Sequence, residues 1–202
     1  MVAGAEWQYG SGMNAITLLE DYPRHRLTLD DVFGMMAAGM LDRTAKYELF
    51  DGVVFEVPSE NPPHIDYKSE ILRHLNRTLS DDYFVVADAT LKLSPHNAPS
   101  PDVYVFPAAI ATADLKAEEV CLVIEVADTT VRDDLGVKAA LYARYGVQEY
   151  WVVDIARRAI LVHRAREGET WAAPVEITAE ETATSAAVPD LKLRLADLKR
   201  VG

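Results

Sequence analysis

A carboxylate set in an apolar run is the first sign of chemistry in the sequence. Val120-Cys121-Leu122-Val123-Ile124-Glu125-Val126-Ala127 is short, rich in β-branched residues and followed by a polar segment, the pattern of a buried strand. Glu125 sits in its middle, and a buried carboxylate is costly unless it is paired or bound to a metal. An earlier segment, Pro99-Ser100-Pro101-Asp102-Val103-Tyr104-Val105-Phe106, reads as a second strand opened by prolines, with Asp102 at its start. Two acids on adjacent strands that point into one crevice repel unless a cation lies between them, and one of them is expected to have a raised pKa while the site is empty. Mg²⁺ commonly takes one or two carboxylates, waters and phosphate oxygens. Such an ion can activate water and stabilise the charge of phosphodiester cleavage. A nearby lysine would orient the water or neutralise the developing charge. On the residues alone two other readings of Glu125 stay open: a side chain pointing out of an edge strand into water, or a partner for an arginine.

The elements that must position these acids follow in chain order. Residues 1–26, with Gly4, Gly10, Gly12 and Pro23, read as a loosely attached arm, and 27–202 as the domain. Thr28 and Asp31 form a capping-box variant that starts a helix running to about Met40. Lys46–Phe50 and Val53–Val57, joined by Asp51-Gly52, read as a hairpin, because Asp-Gly supplies the positive φ angles of a tight turn. Glu48 lies in the first of these strands, where the pattern alone makes it solvent-facing. Pro62-Pro63 opens a helix over about His64–Leu79, with Ile65, Leu72, Leu75 and Leu79 as its expected apolar face. Arg73 and Arg77, with Lys68 nearby, make either a solvated face or a ridge that contacts phosphates. His64 at the helix start offers a ligand or contact group, although a lone histidine is more often incidental. Strands are expected over Tyr83–Ala87, Thr90–Leu93, Asp102–Phe106 and Val120–Ala127, then a helix over Asp133–Tyr145 with Asp128, Thr129 and Thr130 as candidate caps. Its apolar side would hold Leu135, Ala139, Tyr142 and Ala143. Glu149–Asp154 and Ala159–Arg164 form a further strand pair, followed by weaker strands over Trp171–Ile177 and Leu191–Leu193 and a helical turn over Leu195–Leu198. The fold class is therefore α/β of the mixed α+β kind: a central mixed sheet flanked by helices, with a parallel crossover after the Glu125 strand.

Composition narrows the functions. At 202 residues, half of them hydrophobic, the chain can bury a full core. Asp and Glu outnumber Lys and Arg by 32 to 20, a formal net charge of −12, which argues against a protein that coats nucleic acid non-specifically. Cys121, the single cysteine, lies in the apolar strand and reads as packing; its isolation fits a reducing compartment. With no apolar run long enough for a membrane and no signal-like start, a cytoplasmic protein is expected. The apolar content of Tyr150-Trp151-Val152-Val153 and Ala159–Val162 exceeds what one small sheet face needs, which points to a homodimer.

Tyr47-Glu48-Leu49-Phe50-Asp51-Gly52, Pro101-Asp102-Val103, Ile124-Glu125-Val126, Asp134 with Lys138, Tyr142-Ala143 and Gly146-Val147-Gln148-Glu149-Tyr150-Trp151-Val152-Val153-Asp154 occur in this order. The ordered set resembles the Uma-two family, restriction-type endonucleases of the PD-(D/E)XK superfamily, over about residues 27–200. The resemblance implies a restriction-endonuclease-like core, with Asp102 as the acid of the PD half and Glu125 as the acid of the (D/E)XK half. The usual lysine would fall at Ala127, and the resemblance points instead to Lys138 from the following helix. Glu48 matches a further acid of the pattern. The implied function is DNA phosphodiester hydrolysis with Mg²⁺ or Mn²⁺ on Asp102, Glu125 and the Val126 carbonyl. The implied catalytic set is Asp102, Glu125, Lys138 and Glu48. A binding or scaffold protein that keeps the nuclease fold without turnover is the competing class, and a hydrolase of small phosphate esters is a third.

Overall fold

The computed structural model describes residues 23–128 and 134–199. Most of the expected arm, and Thr129, Thr130 and Asp133 at the expected helix start, lie outside them.

The core is a six-stranded sheet in the order β10-β7-β6-β5-β4-β3. Its strands are β3 (Tyr83–Ala87), β4 (Val103–Pro107), β5 (Leu122–Ala127), β6 (Glu149–Asp154), β7 (Ala159–His163) and β10 (Val175–Thr178). β5 and β6 run parallel, and every other neighbouring pair is antiparallel. That single parallel pair is the crossover expected after the Glu125 strand.

Strict alternation of side chains divides the sheet into two buried faces. Val103, Val105, Leu122, Ile124, Val126, Trp151, Val153, Ile160 and Val162 face one cluster. Tyr104, Phe106, Val123, Ala127, Tyr150, Val152 and Leu161 face the other. The first face is covered by α2 (Pro62–Thr78) and by the C-terminal segment through Val188, Leu191 and Leu195. The second is covered by α3 (Ala139–Arg144) and by Leu91 and Leu93. Both faces are thus closed within one chain. Tyr150, Trp151, Val152 and Val153 are fully buried, so the apolar surface that suggested a second copy has an internal explanation.

The first helix, α1, spans Leu29–Ala37 under the Thr28–Asp31 capping box. β1 (Lys46–Phe50) and β2 (Val53–Val57) form the expected hairpin as a separate two-stranded sheet, with positive φ at Asp51 and Gly52. It docks on the chain ahead of β4 through paired backbone bonds between Leu49 and Ala98, 2.8 and 3.2 Å long. Residues 90–93 form no strand. They are held instead by amide bonds from Leu91 to Pro99 and from Leu93 to Asn97.

α2 buries Tyr67, Ile71 and Leu75, while Ile65 is 45% exposed, so the apolar face is rotated from the expected one. Lys68 falls on the inward side, away from Arg73 and Arg77. The helix expected over Asp133–Tyr145 is interrupted: a π turn over Asp134–Lys138 leads into α3. Short pairs β8 (Arg166–Glu167) with β9 (Thr170–Trp171), and β11 (Ala183–Thr184) with β12 (Lys192–Leu193), complete the C-terminal part. The single strand expected over Trp171–Ile177 is therefore divided between β9 and β10.

Candidate active site

Asp102 lies immediately before β4, beside the centre of β5. The two acids are fastened through each other's strand. Asp102 Oδ2 accepts the Val126 amide at 2.7 Å, and Glu125 Oε2 accepts the Asp102 amide at 3.3 Å. Alternation in β5 turns Glu125 toward the face covered by α3. There the Tyr142 hydroxyl donates to Glu125 Oε1 at 2.8 Å, and Lys138 Nζ lies 3.3 Å from the same oxygen. Lys138 and Tyr142 are four residues apart, so one helical side presents both. The π turn ends at Lys138, and such turns shift the facing of a side chain relative to a regular helix.

Glu48 is buried, not solvent-facing. Its Oε1 accepts the Ser100 amide at 2.9 Å and lies 3.2 Å from Lys138 Nζ. The hairpin's docking on Ala98 places it there. Lys138 therefore bridges two carboxylates, Glu48 and Glu125. The four side chains expected at the site converge, and the Val126 backbone lies among them. Glu125 pairs with a lysine, where an edge-strand carboxylate would face water and the structural alternative required an arginine.

A second group reaches Asp102 from α2. His64 Nε2 lies 3.1 Å from Asp102 Oδ2, and His64 Nδ1 lies 3.4 Å from Glu60 Oε2. Lys68 Nζ contacts both oxygens of Glu60, at 2.6 and 2.5 Å, and Asp88 Oδ1 at 2.8 Å. Asp88 also pairs with Lys46 at 3.2 Å. The N-cap of α2, Asn61, accepts the His64 amide at 3.0 Å and donates to Asp128 at 2.7 Å, which ties the helix start to the end of β5. Of this group the sequence offers His64 as a ligand or contact group and Lys68 as a neighbour of Arg73 and Arg77, and it gives no signal for Glu60 or Asp88. His64 and Lys68 lie four residues apart on one side of α2, and Glu60 stands just ahead of its Asn61 cap.

The expected raised carboxylate is not found at Asp102. Burial pushes its pKa up, but the His64 hydrogen bond and charge, the Val126 amide and Lys68 together hold it below the ordinary aspartate value. Burial pushes the His64 pKa down, and Asp102 and Glu60 outweigh that and raise it. Lys68 is raised by Asp88 and Glu60 against its own burial. Tyr142 is raised well above the usual phenol by burial and by the Glu125 charge, so it stays a hydrogen-bond donor.

Among the described residues, Glu60, His64 and Asp102 offer ligand atoms that all lie within 4.8 Å of one another, a group that could hold a metal ion. Both contacts of Asp102's carboxylate, Val126 N–H and His64, fall on Oδ2. The donor set around Asp102 therefore fits a divalent cation: carboxylates and an imidazole.

The architecture and the site place this chain among nuclease-fold proteins. A crystal structure from Anabaena variabilis ATCC 29413, described as "a putative nuclease belonging to DUF820", superposes with a TM-score of 0.68 at 16% identity, covering 85% of this chain and 97% of that one. No curated protein matches the chain. The Uma2 family, described as "Putative restriction endonuclease", matches residues 35–196, and the chain belongs to that family. Among the described residues no helix is long and apolar enough to cross a membrane.

Proposed function

We propose that the protein is a metal-dependent nuclease that hydrolyses DNA phosphodiester bonds at the Asp102–Glu125–Lys138–Glu48 cluster. The observation that carries this reading is Lys138 Nζ held 3.2 and 3.3 Å from Glu48 and Glu125, while Glu125 and Asp102 are cross-anchored through their strands. Asp102, Glu125 and the Val126 carbonyl would hold Mg²⁺ or Mn²⁺. When bound, the ion supplies polarisation of a phosphoryl oxygen and compensates the negative charge that develops on it.

The chain's own residues supply the rest. Lys138, at the end of the π turn ahead of α3, would take the role of a lysine two residues after Glu125, where Ala127 packs in the apolar cluster. Its ammonium neutralises charge on the phosphate as the attacking and leaving oxygens pass through line. Glu48 holds that ammonium together with Glu125. Tyr142 holds the Glu125 carboxylate in one orientation, so the cluster meets substrate without rearranging. The four contributing elements are braced by buried strands, which suits a site that works by positioning.

Incubation with supercoiled plasmid, single-stranded DNA and nucleotides, with and without Mn²⁺, tests the reading. Nicking or linearisation of plasmid that requires the metal and is lost in Asp102→Asn is the expected result. Turnover of small phosphate esters alone would assign a different substrate. Binding of DNA with no cleavage in any metal would assign a scaffold that has kept the fold.

A further inference from the structure

Two ligand sets meet on Asp102. On the sheet side stand Glu125 and the Val126 carbonyl; on the α2 side stand Glu60 and His64. The α2 group is the one whose three ligand atoms lie mutually within 4.8 Å, and Glu125 is not part of it. His64 Nδ1 is buried, and although Glu60 Oε2 lies 3.4 Å away it makes no hydrogen bond. A buried ring nitrogen without a hydrogen bond needs a reason, and a coordinated or newly oriented imidazole is one. Resting on the metal-dependent reading above, we infer that Glu60, His64 and Asp102 form a cation site on the α2 side, sharing Asp102 with the sheet-side acids, and that its imidazole favours first-row transition ions over Mg²⁺.

The chemistry of the donors sets this preference. Mg²⁺ takes oxygen ligands and keeps several waters. Nitrogen donors strengthen binding along the series from Mn²⁺ through Co²⁺ to Ni²⁺. A site of carboxylates and carbonyl alone follows this series only shallowly, and one imidazole steepens it. The surrounding charges permit a cation here. Lys68 contacts Glu60 but is also held by Asp88 Oδ1 at 2.8 Å, so it keeps a partner when Glu60 turns to an ion. Glu60 and His64 flank the Asn61 cap, and that cap is bonded to Asp128 at the end of β5.

The test uses the full chain and the metals themselves. In Mn²⁺-loaded protein, pulsed electron paramagnetic resonance is expected to show coupling to a directly bound ¹⁴N nucleus, absent in His64→Gln. Calorimetric titration is expected to give wild type at least about ten-fold tighter binding of Co²⁺ than of Mg²⁺, with that ratio reduced several-fold in His64→Gln. Glu60→Gln, which leaves the imidazole in place, is expected to weaken Co²⁺ binding while keeping the ¹⁴N signal. That variant keeps the test open if His64→Gln misfolds in circular dichroism. Bound Mn²⁺ without nitrogen coupling in wild type, or a Co²⁺ to Mg²⁺ ratio unmoved by His64→Gln, overturns the inference. Metal-dependent cleavage that persists with no nitrogen coupling would leave the nuclease reading standing and remove only the α2 site. Nitrogen coupling without cleavage of any DNA would do the reverse.

Discussion

Tyr142→Phe removes one hydroxyl and little else. The ring is fully buried and packs against Tyr150 with centroids 5.0 Å apart, contacts that phenylalanine keeps. What is lost is the 2.8 Å donation to Glu125 Oε1. A hydrogen bond to a charged acceptor contributes about 1.5–3 kcal/mol. Lys138 remains 3.3 Å from the same oxygen, so the carboxylate is not stranded, and the expected loss is about 2 kcal/mol. For a chain of 202 residues each kcal/mol moves Tm by about 2–4 °C, so the variant should melt about 4–8 °C lower. Glu125 loses one of its anchors at the same time and keeps those from Lys138 and the Asp102 amide, so Mg²⁺ affinity should fall together with stability. Thermal melts by circular dichroism, without metal and across a Mg²⁺ titration, read both effects. A variant that melts within a degree of wild type and binds Mg²⁺ equally well would refute the idea that this hydroxyl holds Glu125.

Lys138→Met leaves the buried carboxylates of Glu48 and Glu125 without their shared cation, with an expected loss of about 3 kcal/mol and abolished DNA cleavage, measured by denaturant unfolding and plasmid nicking. Glu125→Gln is milder in the metal-free protein, because Lys138 keeps Glu48 and the amide oxygen can still accept from Tyr142; urea unfolding should show a loss of about 1–2 kcal/mol, together with loss of the metal-induced rise in Tm. Glu149, whose carboxylate accepts from Ser185, Ala186, Trp151 and Arg164, is pushed up by burial but held below its ordinary value of 4.5 by these donors. Its contribution is therefore present above about pH 4.5 and lost as pH falls through the lower folded value, so urea unfolding should show Glu149→Gln to be less stable near neutrality and less sensitive to acid. Gly52→Ala places a Cβ 2.5 Å from Arg26 Cβ at a residue with φ of +81°, and a destabilisation above about 2 kcal/mol is expected in thermal melts.

Much of the scaffold was legible because its signals are local. Asp51-Gly52 between two alternating runs gave the hairpin to the residue. The Thr28–Asp31 box gave the start of α1, and the apolar runs gave β5 and β6. Asp102 and Glu125 stood out as acids at the edge and in the middle of such runs. Glu48 and Lys138 did not: the pattern turned Glu48 outward, and only the ordered family motifs drew attention to both. Their burial depends on contacts distant in sequence, the hairpin docking on Ala98 and the π turn before α3. The α2 group was missed for a related reason. Lys68 was grouped with Arg73 and Arg77 by charge, although it lies one turn from His64 and faces inward. Helical spacing links His64 and Lys68, but Glu60 stands ahead of the Asn61 cap, and Asp88 and Asp102 reach them only through the fold.

Everything proposed for this site requires a cation on Asp102. Anomalous diffraction from a Mn²⁺-soaked crystal tests that most directly. Metal-dependent hydrolysis requires an anomalous peak about 2–2.5 Å from an Asp102 carboxylate oxygen. A crystal soaked at millimolar Mn²⁺ with peaks only elsewhere on the protein, or with Asp102 still bonded to His64 and Val126 alone, would contradict it.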